Sequence, residues 1–134
     1  MPLTSDEDIA DLLRSSARIA MVGASGRPDR PSFGVLAYLL THGYDVMPIN
    51  PGLSWQRIQA QPVIDSLSSV TDPVDLVDIF RSSEAAGDAV DAAIAHGAKA
   101  VWMQIGVINH AAAERAEAAG LKVVMDRCPK VEMA

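Results

Sequence analysis

A chain of 134 residues, 49% of them hydrophobic, has the size of one domain and enough apolar side chains for a packed core, which excludes a disordered protein. Its net charge of −6, without a cluster of Lys and Arg, argues against nucleic-acid partners. The acidic start MPLTSDED is unlike a signal peptide, and no stretch approaches the roughly twenty apolar residues that cross a bilayer, so no membrane partner is expected. With Cys128 as the lone cysteine, we expect one cytoplasmic domain spanning residues 1–134.

Hydrophobic periodicity predicts strands alternating with helices along the chain. Continuous apolar runs such as RIAMV are typical of strands covered on both faces. In chain order, the predicted elements are a helix over 5–14, a strand over 18–22, a helix over 33–42, a strand over 44–49, a stub of strand at 62–64, a strand over 75–80, a helix over 84–96, a strand over 99–105, a helix over 109–119 and a strand over 121–125. This alternation indicates an α/β fold, a Rossmann-type three-layer α/β/α domain with a mostly parallel sheet of five or six strands.

Local residue types refine this prediction. Thr4 with Glu7 fits a capping box for the first helix, and Ser32 is a suitable N-cap for the second. The expected strand order is 3-2-1-4-5-6, numbering the predicted strands along the chain. Pro48 lies inside the second strand and has no N–H to donate. We therefore expect a short third strand, which leaves the second strand nearly at the edge of the sheet.

Candidate ligand-binding residues follow the strands. In an open parallel sheet, ligands bind outside the carboxyl ends of the strands where the strand order reverses, here between the first and fourth strands. Glycine lets backbone N–H groups approach a phosphate, a helix N-terminus directs partial positive charge at it, and arginines donate charge-assisted hydrogen bonds. The predicted cofactor-binding residues are Gly23, Ala24, Ser25, Arg27, Arg30 and Ser32 after the first strand, Asn50 after the second, Phe80 and Arg81 after the fourth, and Gln104, Ile105 and Gly106 after the fifth.

The residue that ends the second strand narrows the choice of cofactor. NAD sites usually carry Asp or Glu there to bind the ribose diol, whereas this chain has Asn50. Because a carboxylate would repel a phosphorylated ribose and an amide would not, NADP or coenzyme A is favoured. Hydride transfer normally needs a second domain, and the chain ends shortly after its last strand. Coenzyme A is therefore the preferred expectation, since it requires recognition of a diphosphate, a ribose phosphate and an adenine.

Several blocks of sequence, in order, carry a family resemblance: VGAS, RPSFGV, YDVMPINP, DLVDIFR, AVWMQIGVIN and DRCPKVE. Together they resemble the small stand-alone CoA-binding proteins, which are similar to the nucleotide-binding domain of succinyl-CoA synthetase alpha subunits and of ADP-forming acyl-CoA synthetases. The resemblance covers about residues 14–132 and implies coenzyme A at the carboxyl edge of a Rossmann-type sheet. In those synthetases, catalysis depends on a phosphorylated histidine in a further domain and on a partner ATP-grasp unit. The resemblance therefore implies a ligand and not a reaction.

Some residues have two interpretations. Arg27 and Arg30 are either solvated loop residues or phosphate ligands. Asp78, inside an apolar run, is expected to accept hydrogen bonds from backbone or serine groups that fix a neighbouring loop, with direct ribose binding as the alternative. Cys128 is expected to be packed and inert, although Arg127 and Lys130 could lower its pKa and make it reactive toward the CoA thiol.

The preferred function is binding of coenzyme A or an acyl-CoA by a non-catalytic carrier, sensor or partner of acyl-CoA enzymes. No catalytic constellation is predicted, and no spacing of Cys, His and carboxylates indicates a metal site. Two alternatives stay open. One is a small NADP-binding oxidoreductase, and the other is a ligand-free regulatory subunit of a larger synthetase.

Overall fold

A computed structural model describes residues 1–53 and 56–133. Its central sheet is five-stranded. The elements, in chain order, are α1 (Asp6–Ser15), β1 (Arg18–Val22), α2 (Pro31–Thr41), β2 (Asp45–Ile49), a 3-10 turn (Pro51–Leu53), β3 (Arg57–Ile58), β4 (Gln61–Pro62), a second 3-10 turn (Leu67–Ser69), β5 (Leu76–Ile79), α3 (Ala86–His96), β6 (Ala100–Met103), α4 (His110–Ala118), β7 (Lys122–Val124) and α5 (Pro129–Met133). Within this described part of the chain, no helix is long and apolar enough to span a membrane.

The sheet confirms the predicted α/β class and its strand order. All neighbouring strands pair in parallel, in the order β2-β1-β5-β6-β7. The order reverses between β1 and β5, because the chain leaves β1 toward β2 and later returns to the other side of β1. The carboxyl ends of these two strands therefore border the crevice where a parallel sheet binds ligands.

The predicted third strand is reduced to a single residue. Ile64 forms an isolated parallel bridge with Ile49, and its N–H donates to the carbonyl of Pro48 at 2.9 Å. Pro62, the first residue of that predicted region, belongs to β4 and pairs instead with β3. Because Pro48 turns its missing N–H to this outer side, the pairing of β2 with β1 loses no donor. The expectation of a short third strand beside Pro48 is confirmed.

Apolar side chains cover both faces of the sheet, as expected for parallel strands. One core is built around α3 and α4, whose small residues Ala93 and Ala116 are fully buried. The other is built around α1 and α2 and includes Trp102, which is also fully buried. Its indole Nε1 donates to the carbonyl of Arg127 at 2.7 Å, so the buried polar atom is satisfied.

Two predicted N-caps are wrong. The cap of α1 is Ser5 rather than Thr4, since the Ser5 Oγ accepts a hydrogen bond from the N–H of Asp8 at 3.1 Å. Helix α2 starts two residues before the predicted position, with Arg30 as its N-cap. Pro31 occupies the first turn, where its fixed φ suits a helix and its missing N–H costs nothing. Ser32 therefore lies inside the helix and its hydroxyl is available for another role.

A two-stranded hairpin of β3 and β4 was absent from the sequence prediction. Its turn places both Gln59 (φ 51) and Ala60 (φ 65) in the left-handed region. Such turns normally contain Asn or Gly, so this sequence carries no hairpin signal. The hairpin is held by tertiary contacts: Ile58 is buried at 2% exposure, and the Gln59 side chain donates to the carbonyl of Phe33 on α2. Trp55 follows a Pro-Gly turn, a position from which a tryptophan can line a pocket or face a partner, and it lies outside the described residues.

A carboxyl group is fully buried in the second core. Asp78 lies on β5 between Met21 of β1 and Trp102 of β6. Its Oδ1 accepts a hydrogen bond from Gln104 Nε2 at 2.6 Å, and its Oδ2 has no partner among the described residues. Burial raises the pKa of Asp78 to about 7, against a smaller lowering by Gln104. The expected backbone or serine donors are wrong, since a glutamine amide is the donor instead.

At Gly23, the loop after β1 comes close to the end of β5. Its φ is +86, and a Cβ there would lie 2.2 Å from the carbonyl oxygen of Phe80 and 2.9 Å from Cδ of Arg81. A side chain at this position would therefore be strained in its backbone and would also push the Phe80-Arg81 segment away.

Replacement of Gly23 by Ala should destabilise the protein more than the same change at Gly43. Gly43 has φ +87 and no atom within 4 Å of its Cβ position, so Gly43→Ala carries only the left-handed backbone strain of about 1–2 kcal/mol. Gly23→Ala adds the clash with Phe80 and should cost about 3 kcal/mol or more. Urea unfolding of both variants measures the difference, and equal losses would contradict the close approach.

The pH dependence of stability should reveal the buried carboxyl group of Asp78. The folded state holds its proton up to pH about 7, whereas the unfolded state releases it near the ordinary value of 3.8. The folded state therefore binds more protons in this window, and stability falls as pH rises, by up to about 1.4 kcal/mol per pH unit. Compared with Asp78→Asn, the wild type should lose unfolding free energy between pH 5 and pH 8. Asp88→Asn controls for the loss of an exposed negative charge, and parallel wild-type and Asp78→Asn profiles would refute the assignment.

Candidate functional site

A pocket of about 920 Å³ lies outside the carboxyl ends of β1, β5 and β6. Its volume falls in the upper part of the range of pockets that hold cofactors. It is lined by Gly23, Ser25, Arg27, Arg30, Pro31, Ser32, Asn50, Phe80, Arg81, Ser82, Gln104, Ile105, Val107, Cys128 and Val131. The structure thus places the crevice where the strand order reverses.

Most predicted cofactor-binding residues are brought together in this lining. They are Gly23, Ser25, Arg27, Arg30, Ser32, Asn50, Phe80, Arg81, Gln104 and Ile105. Ala24 and Gly106 do not belong to the lining. The Ala24 residue is fully buried in the core, and the N–H of Gly106 donates to Asp126 Oδ1 at 2.6 Å. Contact of the lining residues with a ligand stays a prediction.

Hydrogen bonds shape the loop after β1. The N–H of Ser25 donates to Ser32 Oγ at 3.0 Å, and Ser25 Oγ accepts from the N–H of Arg27 at 3.1 Å. Asn50 completes the loop, because its Nδ2 donates to the carbonyl of Ala24 and its Oδ1 accepts from the N–H of Gly52, each at 2.9 Å. Ser32 and Asn50 therefore act first as supports of the loop, through polar atoms that the sequence analysis assigned to the ligand.

The N-terminus of α2 opens into the pocket. Arg30, Pro31 and Ser32 all belong to the lining, and the N-cap Arg30 makes no side-chain capping bond. The first turn contains no acidic residue. The partial positive charge of the helix end is therefore left for a ligand, and anions are the ligands that such an end attracts.

The charges of the lining differ in sign from those of the whole chain. The chain carries −6, yet the lining contains three arginines and, within the described residues, no Asp or Glu. Arg27 is paired with Asp29 at 3.1 Å. Arg30 and Arg81 form no ion pair within the described part of the chain, so their guanidinium groups are available to a ligand. The arrangement can bind a multiply charged anion.

The lining also contains apolar side chains. Phe80 is half-buried, while Ile105 and Val131 are 63% and 60% exposed. Val131 lies on α5, a short helix absent from the sequence prediction. Cys128, directly before α5, also lines the pocket. The pocket thus offers both cationic groups and apolar surface.

Cys128 is a packed and protonated thiol. It is 8% exposed, and burial raises its pKa, with the charge of Asp78 adding to the rise and the lowering by backbone N–H groups and Lys130 too small to reverse it. Arg127 is engaged elsewhere, since its guanidinium binds Glu132 at 2.9 Å and the carbonyl of Thr4. The inert interpretation is therefore supported over the reactive one.

Five lining residues were not predicted to bind a ligand: Pro31, Ser82, Val107, Cys128 and Val131. The sequence offered one usable signal for them, the Pro at the start of α2, because prolines favour the first helical turn. No group of three or more His, Cys, Asp and Glu suited to a metal ion occurs within residues 1–53 and 56–133.

Comparisons with known proteins agree with this geometry. A family model described as a CoA binding domain matches residues 17–134. The uncharacterized protein YneT of Bacillus subtilis (strain 168) is 34% identical over 130 residues, which are 97% of this chain and 95% of that protein. A hypothetical protein from Pyrococcus horikoshii OT3 has a similar structure, with a TM-score of 0.91 and 37% identity over 98% of this chain and 93% of its own.

A larger enzyme contains a similar domain. The dinucleotide-forming acetyl-coenzyme A synthetase 1 of Ca. Korarchaeum cryptofilum, solved with phosphate and ADP, has a TM-score of 0.71 and 25% identity. The match covers 82% of this chain but 26% of that enzyme, so its activity does not transfer. Because the family model spans most of the chain and the fold, pocket and relatives agree with it, this protein belongs to the CoA-binding domain family.

Proposed function

We propose that this protein binds coenzyme A, or an acyl-CoA, in the pocket at the carboxyl edge of its sheet and does not itself catalyse a reaction. The observation that carries the proposal is the segregation of charge. Three arginines and an uncapped helix N-terminus face a crevice whose described lining has no carboxylate, in a chain of net charge −6. Such a site suits a ligand with several phosphate groups.

The diphosphate of the ligand is assigned to the loop after β1 and the start of α2. Gly23, which has no side chain, admits the Phe80-Arg81 segment next to the loop, and the hydroxyl of Ser32 keeps its proton for donation after accepting from Ser25. Arg30 is at the end of this loop, the side chain of Arg81 lies next to Gly23, and neither cation forms an ion pair among the described residues. The ribose phosphate is assigned to the cation of Arg30. Asn50, at the end of β2, carries no charge that would repel this phosphate.

The arm of coenzyme A is assigned to the apolar side chains of the lining. Phe80, Ile105 and Val131 offer exposed or half-exposed apolar surface beside the cationic groups. An arm joined to a nucleotide can bury part of its surface there, which the hydrophobic effect favours. The titratable side chains of the described lining are the arginines and the protonated Cys128. A general base near pH 7 is not supplied by these groups, which supports a binding role.

Calorimetric titration with coenzyme A, NADP and NAD tests the ligand. We expect saturable binding of coenzyme A, weaker binding of NADP, and the weakest binding of NAD, which lacks the ribose phosphate. Mass spectrometry of freshly purified protein under native conditions provides a second measurement, since a retained ligand would add the mass of coenzyme A. Tight binding of NADP without binding of coenzyme A would favour an oxidoreductase, and binding of none would favour a regulatory subunit.

Replacement of Arg30 by Ala should weaken coenzyme A more than dephospho-coenzyme A, which lacks the ribose phosphate. A charge-assisted hydrogen bond contributes about 1.5–3 kcal/mol, so the affinity for coenzyme A should fall at least about tenfold. Arg14→Ala is the matched control, because Arg14 ends α1 just before β1, at the amino edge of the sheet away from the pocket. Equal weakening of both ligands would place Arg30 on the diphosphate instead, and no weakening would remove it from the site.

A further inference from the structure

A polar pair includes one residue of the pocket lining. Gln104 follows β6, lines the pocket and is 6% exposed, while Asp78 on β5 is fully buried. Gln104 Nε2 donates to Asp78 Oδ1 at 2.6 Å. The pair connects the interior of the sheet with the wall of the pocket.

The remaining hydrogen-bonding capacity of Gln104 is its side-chain oxygen. The N–H of Gln104 donates to the carbonyl of Ile79, and its carbonyl accepts from the N–H of Val107 at 2.8 Å. The side-chain nitrogen is directed at Asp78, since an ionised carboxylate can only accept hydrogen bonds. Gln104 Oε1 accepts no hydrogen bond from the described residues. Because Gln104 lines the pocket, this oxygen is the polar atom that it offers there.

We propose that Asp78 is a positioning residue that holds Gln104 Oε1 toward the pocket, where the oxygen accepts a hydrogen bond from a donor on the arm that joins the nucleotide of coenzyme A to its thiol. The inference rests on the proposed function. The arm carries amide N–H groups and a terminal S–H, which share the chemistry of donation. A ligand that lacks such an arm does not engage Gln104.

The burial of the Asp78 carboxyl group lowers the stability of the fold, and the proposed role gives a reason for it. A carboxyl group in an apolar core destabilises the fold unless it is hydrogen-bonded, and Oδ2 of Asp78 is left without a partner within the described chain. An apolar side chain would fill the same space without this cost. The carboxylate does one thing that an apolar residue cannot, which is to select one of the two orientations of the Gln104 amide.

The protonation of Asp78 links this orientation to pH. Its pKa is raised to about 7 by burial, so the carboxylate form that selects the orientation predominates only above neutral pH. The neighbouring groups do not titrate between pH 6 and pH 8. Met21 and Trp102 flank Asp78 on β1 and β6, and the Cys128 thiol, beside the cation of Lys130, has its pKa raised by burial. Apolar side chains of α1 and α2 cover the same face.

The experiment compares coenzyme A with the β-methyl ester of 3′-phosphoadenosine 5′-diphosphate, which lacks the arm but keeps the diphosphate esterified at both ends as in coenzyme A, by calorimetry at pH 6 and pH 8. The ratio of the two Kd values measures the contribution of the arm, and the titration of phosphate groups common to both ligands cancels. In the wild type, this ratio should favour coenzyme A about threefold more at pH 8 than at pH 6, since one hydrogen bond is being strengthened. In Asp78→Asn the ratio should not change with pH.

Variants distinguish a hydrogen bond from Gln104 to the arm from general packing of the arm in the pocket. Gln104→Met should reduce the contribution of the arm about three- to tenfold at pH 8, by loss of one hydrogen bond. Gln61→Met, on β4 outside the lining, is the matched control and should leave the ratio unchanged. Cys128→Ala should retain the pH dependence of the ratio, which assigns the titration to Asp78 and not to the thiol.

The outcomes distinguish this inference from the proposed function. Binding of both ligands with a pH-independent ratio, or an unchanged ratio in Gln104→Met, would overturn the role of Asp78 and Gln104 alone. Binding of neither ligand would overturn the proposed function and this inference with it. Acetyl-CoA identifies the donor, because it keeps the amide groups and lacks the S–H. The pH dependence extends to acetyl-CoA if the donor is an amide, and is confined to coenzyme A if it is the thiol.

Discussion

The site depends on the passage of the chain backbone past itself at Gly23. The N–H of Gly23 donates to the carbonyl of Ile49 at 3.0 Å, at the end of β2. On its other side, the position of a Cβ is filled by the carbonyl oxygen of Phe80, just after β5. The ends of three strands thus meet at a residue without a side chain. The loop that leads to α2 begins there, so the start of α2 and the Phe80-Arg81 segment are placed relative to each other by this contact.

Local charge, rather than net charge, decides what the pocket attracts. A net charge of −6 would repel an anionic ligand at long range. At physiological ionic strength, however, charges farther apart than about 8 Å are largely screened. Arg30, Arg81 and the N-terminus of α2 lie directly at the crevice, where a bound ligand would displace part of the water and screening would be weaker. The acidic surface therefore does not conflict with a site for phosphate groups.

The sequence predicted the sheet and most of the pocket lining, because both follow from where strands end. Periodicity located the strands, and parallel pairing then brought Gly23, Phe80 and Gln104 to one edge. Features that depend on tertiary contacts were missed. The hairpin turn at Gln59 and Ala60 lacks the usual turn residues, and α5 is too short for a periodic signal. The partner of Asp78 was also wrong, since a contact between residues 26 positions apart has no local pattern.

The presence of both cationic and apolar groups in the pocket explains where selectivity for a ligand can arise. Arginines and a helix N-terminus bind any phosphorylated adenosine, because they recognise charge rather than the rest of the molecule. A buried polar atom discriminates more strongly, since a ligand without the matching donor leaves that atom unpaired. Under our proposal, Gln104 supplies such an atom when a ligand covers its side-chain oxygen, and Asp78 determines which way that oxygen faces. Affinity and selectivity are therefore assigned to different groups of one crevice, and the selective group is the one bonded to the core of the sheet.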